Sequence, residues 1–301
     1  MNVLVLGGTG FIGSNLCKSL LIRGHKIRII DRTIKNIGFD MTNIECVEAD
    51  FIDIIDFKPY LKNIDVVYHL ISTTVPATSN MNRYFDVNSN VCTTIRLLDD
   101  IVKSNAQKII FLSSGGTIYG QTEITPIPED HPTNPICSYG IQKLTIEKYL
   151  FFYFHEYGLD YQVVRLSNPY GKGQNGRKGQ GVIPIFINKV LKNEEIQIWG
   201  DGLTIRDYIY IDDVIEALST LLEYSGEHRI LNLGSGKGST LIDIINIISS
   251  VTGQKALVSF TEARSIDVRA NVLDIKKTTK ELKWEPKYSL SNGIKLYIDK
   301  I

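Results

Sequence analysis

Short apolar runs alternate with longer segments of helical periodicity over residues 1–166. The apolar runs are rich in Val and Ile and predict buried strands at Val3–Leu6, Lys26–Ile30, Ile44–Val47, Val66–Leu70, Ile109–Leu112 and Gln162–Leu166. The helical periodicity lies between them, at Ile12–Arg23, Phe57–Leu61, Tyr84–Lys103 and Tyr139–Tyr157. Repeated strand–helix–strand units predict an α/β fold in which helices cover both faces of a doubly wound parallel sheet.

Beyond Arg165 the hydrophobic pattern loosens. Glycines crowd the stretch 168–181, and its length is typical of a binding loop rather than of a linker. Shorter elements follow, namely a helix at Ile183–Leu191, a strand at Ile196–Trp199, a helix opening at Asp212, a strand at Ile230–Leu233 and a helix at Leu241–Val251. We therefore expect a first domain over residues 1–166 and a smaller α/β lobe over 167–301, with some chain crossing back to the first domain.

Composition restricts the partners and the compartment. The chain has 301 residues with 33 basic and 33 acidic side chains, and this balance argues against nucleic-acid binding, which recruits an excess of basic residues. The cysteines Cys17, Cys46, Cys92 and Cys137 are scattered without CxxC spacing, so we expect neither a disulfide framework nor a metal site. The apolar runs are too short for a signal peptide or a membrane span. We expect a cytoplasmic protein that does not bind membranes.

The sequence GGTGFIG occupies positions 7–13, directly after the first predicted strand. Gly7 permits a tight turn, Gly10 lets the backbone approach a phosphate, and Gly13 lets helix and strand pack closely. Phe11 and Ile12 begin the first predicted helix, whose N-terminal amides carry a partial positive charge that attracts a pyrophosphate. In this strand–turn–helix context the motif predicts a dinucleotide-binding site.

The residue after the second predicted strand selects the dinucleotide. A carboxylate at Asp31 accepts hydrogen bonds from both ribose hydroxyls of NAD and repels the additional phosphate of NADP. Arg32 and Lys35 favour the alternative, since either cation could bind a 2′-phosphate. Because Asp31 comes first after the strand, where ribose contacts are made, we expect NAD to be the cofactor.

Tyr139 and Lys143 are four residues apart on a predicted helix, so their side chains lie on one face. A phenol has a pKa near 10 and is a poor base at neutral pH. A nearby lysine charge, together with an oxidised nicotinamide, would favour the phenolate and lower that pKa. For an isolated pair, two solvated side chains would be the simpler interpretation. Ser113 and Ser114 end a predicted strand, at the edge of the sheet where the nicotinamide should lie.

His69 also lies at the end of a predicted strand, but its neighbours are apolar, so we interpret it as a core residue rather than as a catalytic one.

These motifs together resemble a known family. The chain carries GGTGFIG, Asp31, SSGGTIYG at 113–120, YGIQK at 139–143, RLSNPYG at 165–171 and Arg206-Asp207-Tyr208, in the order and spacing of the extended short-chain dehydrogenases/reductases. Within that family it is similar, over nearly its whole length, to the NAD-dependent epimerase/dehydratase group that includes UDP-glucose 4-epimerase. The resemblance implies a Rossmann-type fold, NAD as cofactor and an isomerase of carbohydrate metabolism and polysaccharide biosynthesis.

The resemblance also implies a reaction. Tyr139 would be the acid/base at a sugar hydroxyl, and Lys143 would tune it while holding the nicotinamide ribose. The implied activity is 4-epimerisation of a UDP-hexose, either UDP-glucose and UDP-galactose or their N-acetylated forms, through a transient 4-keto sugar. Two alternatives remain, namely another NAD-dependent sugar-nucleotide oxidoreductase or dehydratase, and a non-catalytic NAD-binding protein.

Further contacts are implied by position in the family motifs. Cofactor contacts are implied for Asp50, Phe51, Leu70, Ile71, Ser72 and Asn90, beside the glycine motif, Asp31 and Arg32. Substrate contacts are implied for Thr117, Asn168, Val182, Gln197, Trp199, Arg206, Arg264 and Asp267. Many members dimerise through the helices that correspond to Tyr84–Lys103 and Tyr139–Tyr157, so a homodimer is expected. We also expect the aromatic run at 151–154 to be buried, either within the chain or at this interface between subunits.

One position departs from the family pattern. Gly115 stands where the family usually has Ser or Thr, so the hydroxyl that should assist Tyr139 is missing. Thr117 is the first candidate to replace it, because it lies two residues on and would face the same side of an extended segment. Ser114 is a weaker candidate. The segment also lacks the acidic residues that dehydratases and decarboxylases of the family carry there, which favours the epimerase.

Overall fold

The computed structural model describes residues 1–34, 43–174, 181–262 and 268–299. The strands in these ranges are β1 Asn2–Leu6, β2 Lys26–Asp31, β3 Ile44–Glu48, β4 Val66–His69, β5 Lys108–Ser114, β6 Asp160–Leu166, β7 Asn168–Tyr170, β8 Ile196–Trp199, β9 Ile205–Tyr210, β10 Ile230–Leu233, β11 Gly238–Ser239, β12 Val258–Thr261 and β13 Ala270–Asn271. The predicted strands of the first 166 residues are therefore confirmed.

The predicted helices are also found, but three further helices, at Pro76–Ser79, Lys276–Leu282 and Leu290–Ile298, were not predicted. The helices in the described ranges are α1 Phe11–Ile22, α2 Lys58–Leu61, α3 Pro76–Ser79, α4 Arg83–Asp86, α5 Thr93–Ile101, α6 Ser138–Tyr157, α7 Val182–Leu191, α8 Ile211–Thr220, α9 Leu241–Thr252, α10 Lys276–Leu282 and α11 Leu290–Ile298. The long helix expected at Tyr84–Lys103 is instead α4 and α5 joined by a π-helical segment, Val87–Cys92. π-Helical segments are rare in proteins, but those that do occur are often found at functional sites.

The central sheet has the order β10-β6-β5-β4-β1-β2-β3 in the part of the chain that the structure describes. The pairings of β1 with β2 and β4, of β2 with β3, and of β4 with β5 are parallel. The chain thus runs outward from β1 in one direction and then, from β4, in the other. The predicted Rossmann-type doubly wound fold is confirmed, and in such a sheet ligands bind at the carboxyl ends of strands where the order reverses, here between β1 and β4.

Two compact units divide the chain. Unit 1 comprises residues 1–120, 132–165 and 215–231, and unit 2 comprises residues 121–131, 166–214 and 232–301. In unit 1, side chains from β1, β4, β5 and α6 form a core that contains Leu4, Val67, Phe111 and Leu150. In unit 2, β9 pairs with β7, β11 and β13, and β8 pairs with β12. No helix among the described residues is long and apolar enough to cross a membrane.

Helix α6 buries one stripe and exposes the rest. Its buried positions include Tyr153, but Phe151, Phe152 and Phe154 are 58%, 48% and 37% exposed. Only part of the run is therefore buried within one chain, and burial of the rest at a subunit interface stays a prediction. Successive helical residues point about 100° apart, so four consecutive aromatics cannot share the face that packs on the sheet.

Candidate active site

The turn between β1 and α1 allows a ligand to approach its backbone closely. Gly7 has φ +84, a conformation that favours glycine. A Cβ at Gly13 would lie only 2.1 Å from the carbonyl oxygen of Gly7, so any side chain there would force the turn and the helix apart. Gly10, the N-cap residue of α1, offers no side chain to the first-turn amides. These amides include those of Phe11 and Ile12 and lack partners within the helix. The turn therefore fits the pyrophosphate of a dinucleotide.

Asp31 ends β2 and is held toward the glycine turn. Its Oδ2 accepts hydrogen bonds from the backbone N–H of Thr9 at 3.0 Å and from the Thr9 hydroxyl at 2.7 Å. Its Oδ1 accepts from the N–H of Arg32 at 2.8 Å. Thr9 thus orients the carboxylate, a role that the sequence interpretation missed although Thr9 lies inside the glycine motif. Lys35, the other candidate for a 2′-phosphate, lies outside the described residues.

The cofactor contacts predicted at Asp50 and Phe51 differ in the accessibility of their side chains. Asp50 caps a 3₁₀ turn at Phe51–Asp53 by accepting from the N–H of Ile52 at 3.2 Å. The ring of Phe51 is 1% exposed and packs against Phe57 and His69. Contact between Phe51 and a cofactor can therefore involve only its backbone.

The residues after β4 lie beside the glycine turn because β1 and β4 are paired. The side chain of Ile71 would touch a Cβ on Gly7 at 3.2 Å, and Leu70 donates its N–H to the carbonyl of Leu6 at 3.1 Å. Leu70, Ile71 and Ser72 are all half-buried. The predicted cofactor residues of β1 and β4 thus meet at the carboxyl edge of the sheet.

Asn90 holds the loop after β4 rather than offering a free amide. Its Oδ1 accepts from the N–H of Thr73 at 3.0 Å, and its Nδ2 donates to the Thr73 hydroxyl at 2.7 Å and to the carbonyl of Asp86 at 2.9 Å. The side chain is 3% exposed. A direct contact with the cofactor stays a prediction, whereas a structural role in the π-helical segment is observed.

Tyr139 and Lys143 lie on the first two turns of α6, as predicted. The Lys143 Nζ is 5.7 Å from the centre of the Tyr139 ring and 4.6 Å from that of Phe111, and it donates to the carbonyl of Leu112 at 2.9 Å. Helix α6 therefore presents the phenol and the amine together above the end of β5.

Burial dominates the protonation of both groups. It raises the pKa of Tyr139 to about 12, although a hydrogen bond with Ser72 acts in the opposite direction. It lowers the pKa of Lys143 to about 7, against the effect of the Glu147 and Asp86 carboxylates. In the protein alone, burial of the phenolate thus raises the Tyr139 pKa, and the lowering expected from Lys143 together with an oxidised nicotinamide stays a prediction.

Thr117 lies in a turn, not in an extended segment. The N–H groups of Thr117 and Ile118 both approach the carbonyl of Ser114, at 3.4 Å and 3.3 Å. The reason given for its orientation is therefore wrong, but its location is favourable. Its carbonyl oxygen lies against Gly140, where a Cβ would be only 2.8 Å away. Its Oγ1 is buried and has no hydrogen-bond partner among the described residues. The backbone of Thr117 thus lies next to the first turn of α6, and its hydroxyl is not engaged by another described residue.

His69 is confirmed as a core residue of unit 1. It is 2% exposed, its Nε2 is 2.9 Å from the Thr94 hydroxyl, and its ring packs against Phe51 and Phe111. Burial lowers its pKa to about 3, so the ring is neutral at physiological pH.

In unit 2, the predicted substrate residues lie on separate elements. Gln197 and exposed Trp199 alternate on one face of β8, with Ile196 and Ile198 buried behind them. Val182 is the first residue of α7. Their contacts with a substrate stay a prediction.

The other unit 2 candidates lie on β7 and β9. Asn168 donates its Nδ2 to the carbonyl of Asp207 at 2.9 Å, and the Arg206 guanidinium reaches the carbonyl of Ile205 at 2.8 Å. Asp207 is fully buried and accepts from the N–H groups of nearby loops, so it fixes the strand rather than facing a ligand. Arg264 and Asp267 lie outside the described residues. No group of His, Cys, Asp and Glu among the residues that the structure describes is arranged to hold a metal ion.

Comparisons with known proteins agree with this geometry. Residues 3–234 match the model of the NAD dependent epimerase/dehydratase family. A UDP-glucose 4-epimerase of Mycolicibacterium smegmatis is 31% identical, over 98% of this chain and 96% of that protein. A dTDP-4-dehydro-6-deoxyglucose reductase of Escherichia coli is 34% identical, over 99% and 97%. The structure of UDP-glucose 4-epimerase from Thermotoga maritima with UDP-glucose superposes with a TM-score of 0.93 at 35% identity, covering 99% of this chain and 98% of that one.

Proposed function

Because the chain belongs to the NAD-dependent epimerase/dehydratase family, we propose that it is a UDP-hexose 4-epimerase that uses NAD. The observation that carries this proposal is the constellation around the first turn of α6. Tyr139 and Lys143 share one helix face. The backbone of Thr117 lies against the same turn, and its buried hydroxyl has no hydrogen-bond partner among the described residues. The similarity to UDP-glucose 4-epimerases over nearly the full chain supports the choice of substrate.

In the proposed mechanism, bound NAD supplies the acceptor for the C4 hydride of the sugar and its later donor. The protein's own part is to hold the groups and to move the proton. Tyr139 takes the proton from the C4 hydroxyl and returns it to the oxygen once the sugar has turned over. The Lys143 ammonium stabilises the phenolate, whose pKa burial alone raises to about 12. The Thr117 hydroxyl would donate a hydrogen bond to the C4 oxygen, in place of the side chain absent at Gly115.

A reductase is the second candidate, because a dTDP-4-dehydro-6-deoxyglucose reductase matches the chain as well as the epimerases do. The two activities differ in their need for cofactor. An epimerase returns the hydride to the same sugar, whereas a reductase consumes one reduced nicotinamide for each product formed.

The purified protein should interconvert a pair of UDP-sugars without added NAD or NADH. We would incubate it with UDP-glucose, UDP-galactose, UDP-GlcNAc, UDP-GalNAc and UDP-glucuronic acid in separate reactions and identify products by NMR. Interconversion of one pair would establish both reaction and substrate. If turnover of a dTDP-4-keto sugar requires stoichiometric NADH and no UDP-sugar reacts, the protein is the reductase.

Replacing Thr117 with valine should lower kcat by about 10²-fold, a typical cost of removing one hydrogen-bond donor at the reacting oxygen. Valine keeps the shape, so KM should change little. Thr145→Val is the matched control, because the Thr145 hydroxyl donates to the carbonyl of Ile141 within α6 at 2.8 Å. Near-normal turnover of Thr117→Val would transfer the role to Ser114 or to water.

We also propose that the protein acts as a homodimer in the cytoplasm and supplies sugars for polysaccharide synthesis. The exposed side chains of Phe151, Phe152 and Phe154 on α6 support the dimer, because a second copy could cover them. A monomeric mass by light scattering would contradict it. The four free cysteines fit a reducing compartment.

A further inference from the structure

The first turn of α6 is capped by side chains from elsewhere in unit 1. Its N-cap residue, Cys137, makes no side-chain cap hydrogen bond. Instead, the N–H of Ser138 donates to the Oδ1 of Asn80 at 2.9 Å, and the N–H of Tyr139 donates to the hydroxyl of Ser79 at 3.1 Å. First-turn amides otherwise lack partners, so the position of Tyr139 depends on the segment that carries Ser79 and Asn80.

Asp86 holds the first turn of α6 to other elements of unit 1. Its carboxylate is fully buried and accepts hydrogen bonds from the hydroxyl of Ser138 at 2.6 Å, from the Nδ2 of Asn90 at 3.2 Å and from the hydroxyl of Thr74. The donors come from three places, namely the start of α6, the π-helical segment and the loop after β4. Asp86 therefore joins the turn that carries Tyr139 to the two elements beside it.

We propose that Asp86 is a positioning residue for Tyr139, an inference that rests on the proposed catalytic role of that tyrosine. A buried carboxylate is tolerated only when donors surround it. Its three donors must therefore take up one arrangement, and that arrangement fixes the first turn of α6. A neutral side chain would fill the space but would not impose this geometry as strictly.

The Asp86 charge also reaches the two titrating groups. It raises the pKa of Tyr139 and that of Lys143. The other charged or titratable groups nearby are Glu147, which also raises the Lys143 pKa, and Cys137, which also raises that of Tyr139. His69 is buried and interacts electrostatically with Lys143, but burial lowers its own pKa, so it adds no charge near neutral pH. Loss of the Asp86 charge would shift both limbs of the pH–kcat profile to lower pH.

Asp86→Ala should lower kcat by about 10²-fold with KM nearly unchanged, because a displacement of the order of 1 Å at a catalytic group costs that much. Hydrogen exchange followed by mass spectrometry should show faster exchange in the peptide that contains Ser138 and Tyr139. Asp86→Asn should recover much of the loss, since it keeps the shape and an acceptor, while its pH profile moves to lower pH.

The matched control is Asp100→Ala. Asp100 is also a buried carboxylate of unit 1, and it accepts the N–H of Phe57 at 2.9 Å. We expect this variant to lose stability without loss of kcat per folded molecule. If Asp86→Ala does not fold, Ser138→Ala removes a single donor and should give a smaller change of the same kind, about 10-fold in kcat.

Wild-type kcat and unchanged exchange in Asp86→Ala, or in Ser138→Ala where that variant replaces it, would overturn the inference. So would an equal loss of kcat in Asp100→Ala, which would indicate a general loss of stability. An inactive wild-type protein would instead refute the proposed function. The exchange experiment would still decide whether Asp86 positions the first turn of α6.

Discussion

Tyr139→Phe should lower kcat by about 10³-fold, within the range for loss of a general acid–base group. The substitution removes one oxygen and leaves the ring. The Lys143 ammonium, 5.7 Å from the ring centre, would keep its contact with the aromatic face. The hydrogen bond with Ser72 would be lost, but the glycine turn and Asp31 would not change. NAD content of the purified protein should therefore match that of the wild type.

The same helix offers a control for this variant. Tyr153 is a buried tyrosine of α6 whose hydroxyl donates to Asp99 at 2.6 Å, on the side that packs against α5. Tyr153→Phe should alter thermal stability but leave kcat close to the wild-type value. Rates would be measured with the sugar pair found in the substrate panel. Retention of more than about a tenth of wild-type kcat by Tyr139→Phe would exclude the phenol as the acid–base group, because that loss is too small for the role.

The order of elements could be predicted because its causes are local. Buried parallel strands are continuous apolar runs, and the 3.6-residue period marks the helices. Gly7 and Gly13 could be assigned because positive φ and the close approach of helix to strand each require glycine. Tyr139 and Lys143 could be paired because four residues on a helix bring two side chains to one face.

The features that could not be predicted depend on contacts between residues that are distant along the chain. Asn80 caps a helix that begins 58 residues later, and Asp86 accepts from Ser138, 52 residues away. The periodicity of apolar residues gives no information about such contacts. The raised pKa of Tyr139 was missed for a related reason, since desolvation depends on how tightly folded neighbours exclude water. The turn that carries Thr117 was missed because Gly115 and Gly116 fit an extended segment as well as a turn.

Lys143→Met should lower kcat by about 10²-fold and, at pH 6, raise the melting temperature. Methionine fills a similar volume but carries no charge. Activity falls because the phenolate of Tyr139 loses the support of the Lys143 ammonium in the proposed mechanism, and such electrostatic support contributes about this factor. Lys143 is 2% exposed, and burial lowers its pKa from 10.5 to about 7. Below pH 7 the folded protein must therefore keep a charge in a poorly solvated site, which costs stability.

The sign of the pH dependence follows from that shift. Between pH 7 and 10.5 the unfolded chain retains a proton that the folded chain has released, so the stability of the wild type rises with pH in this window. The gain in melting temperature from Lys143→Met should be largest below pH 7 and should shrink as the pH increases to 10.5. Methionine cannot make the hydrogen bond from Lys143 to the Leu112 carbonyl, and this loss reduces the gain by a constant amount. Lys148→Met, at an exposed position of α6, should show neither the loss of kcat nor the pH-dependent stabilisation. A melting-temperature difference that is independent of pH would mean that Lys143 has the same pKa in the folded and unfolded chain, which would contradict the lowering of its pKa by burial.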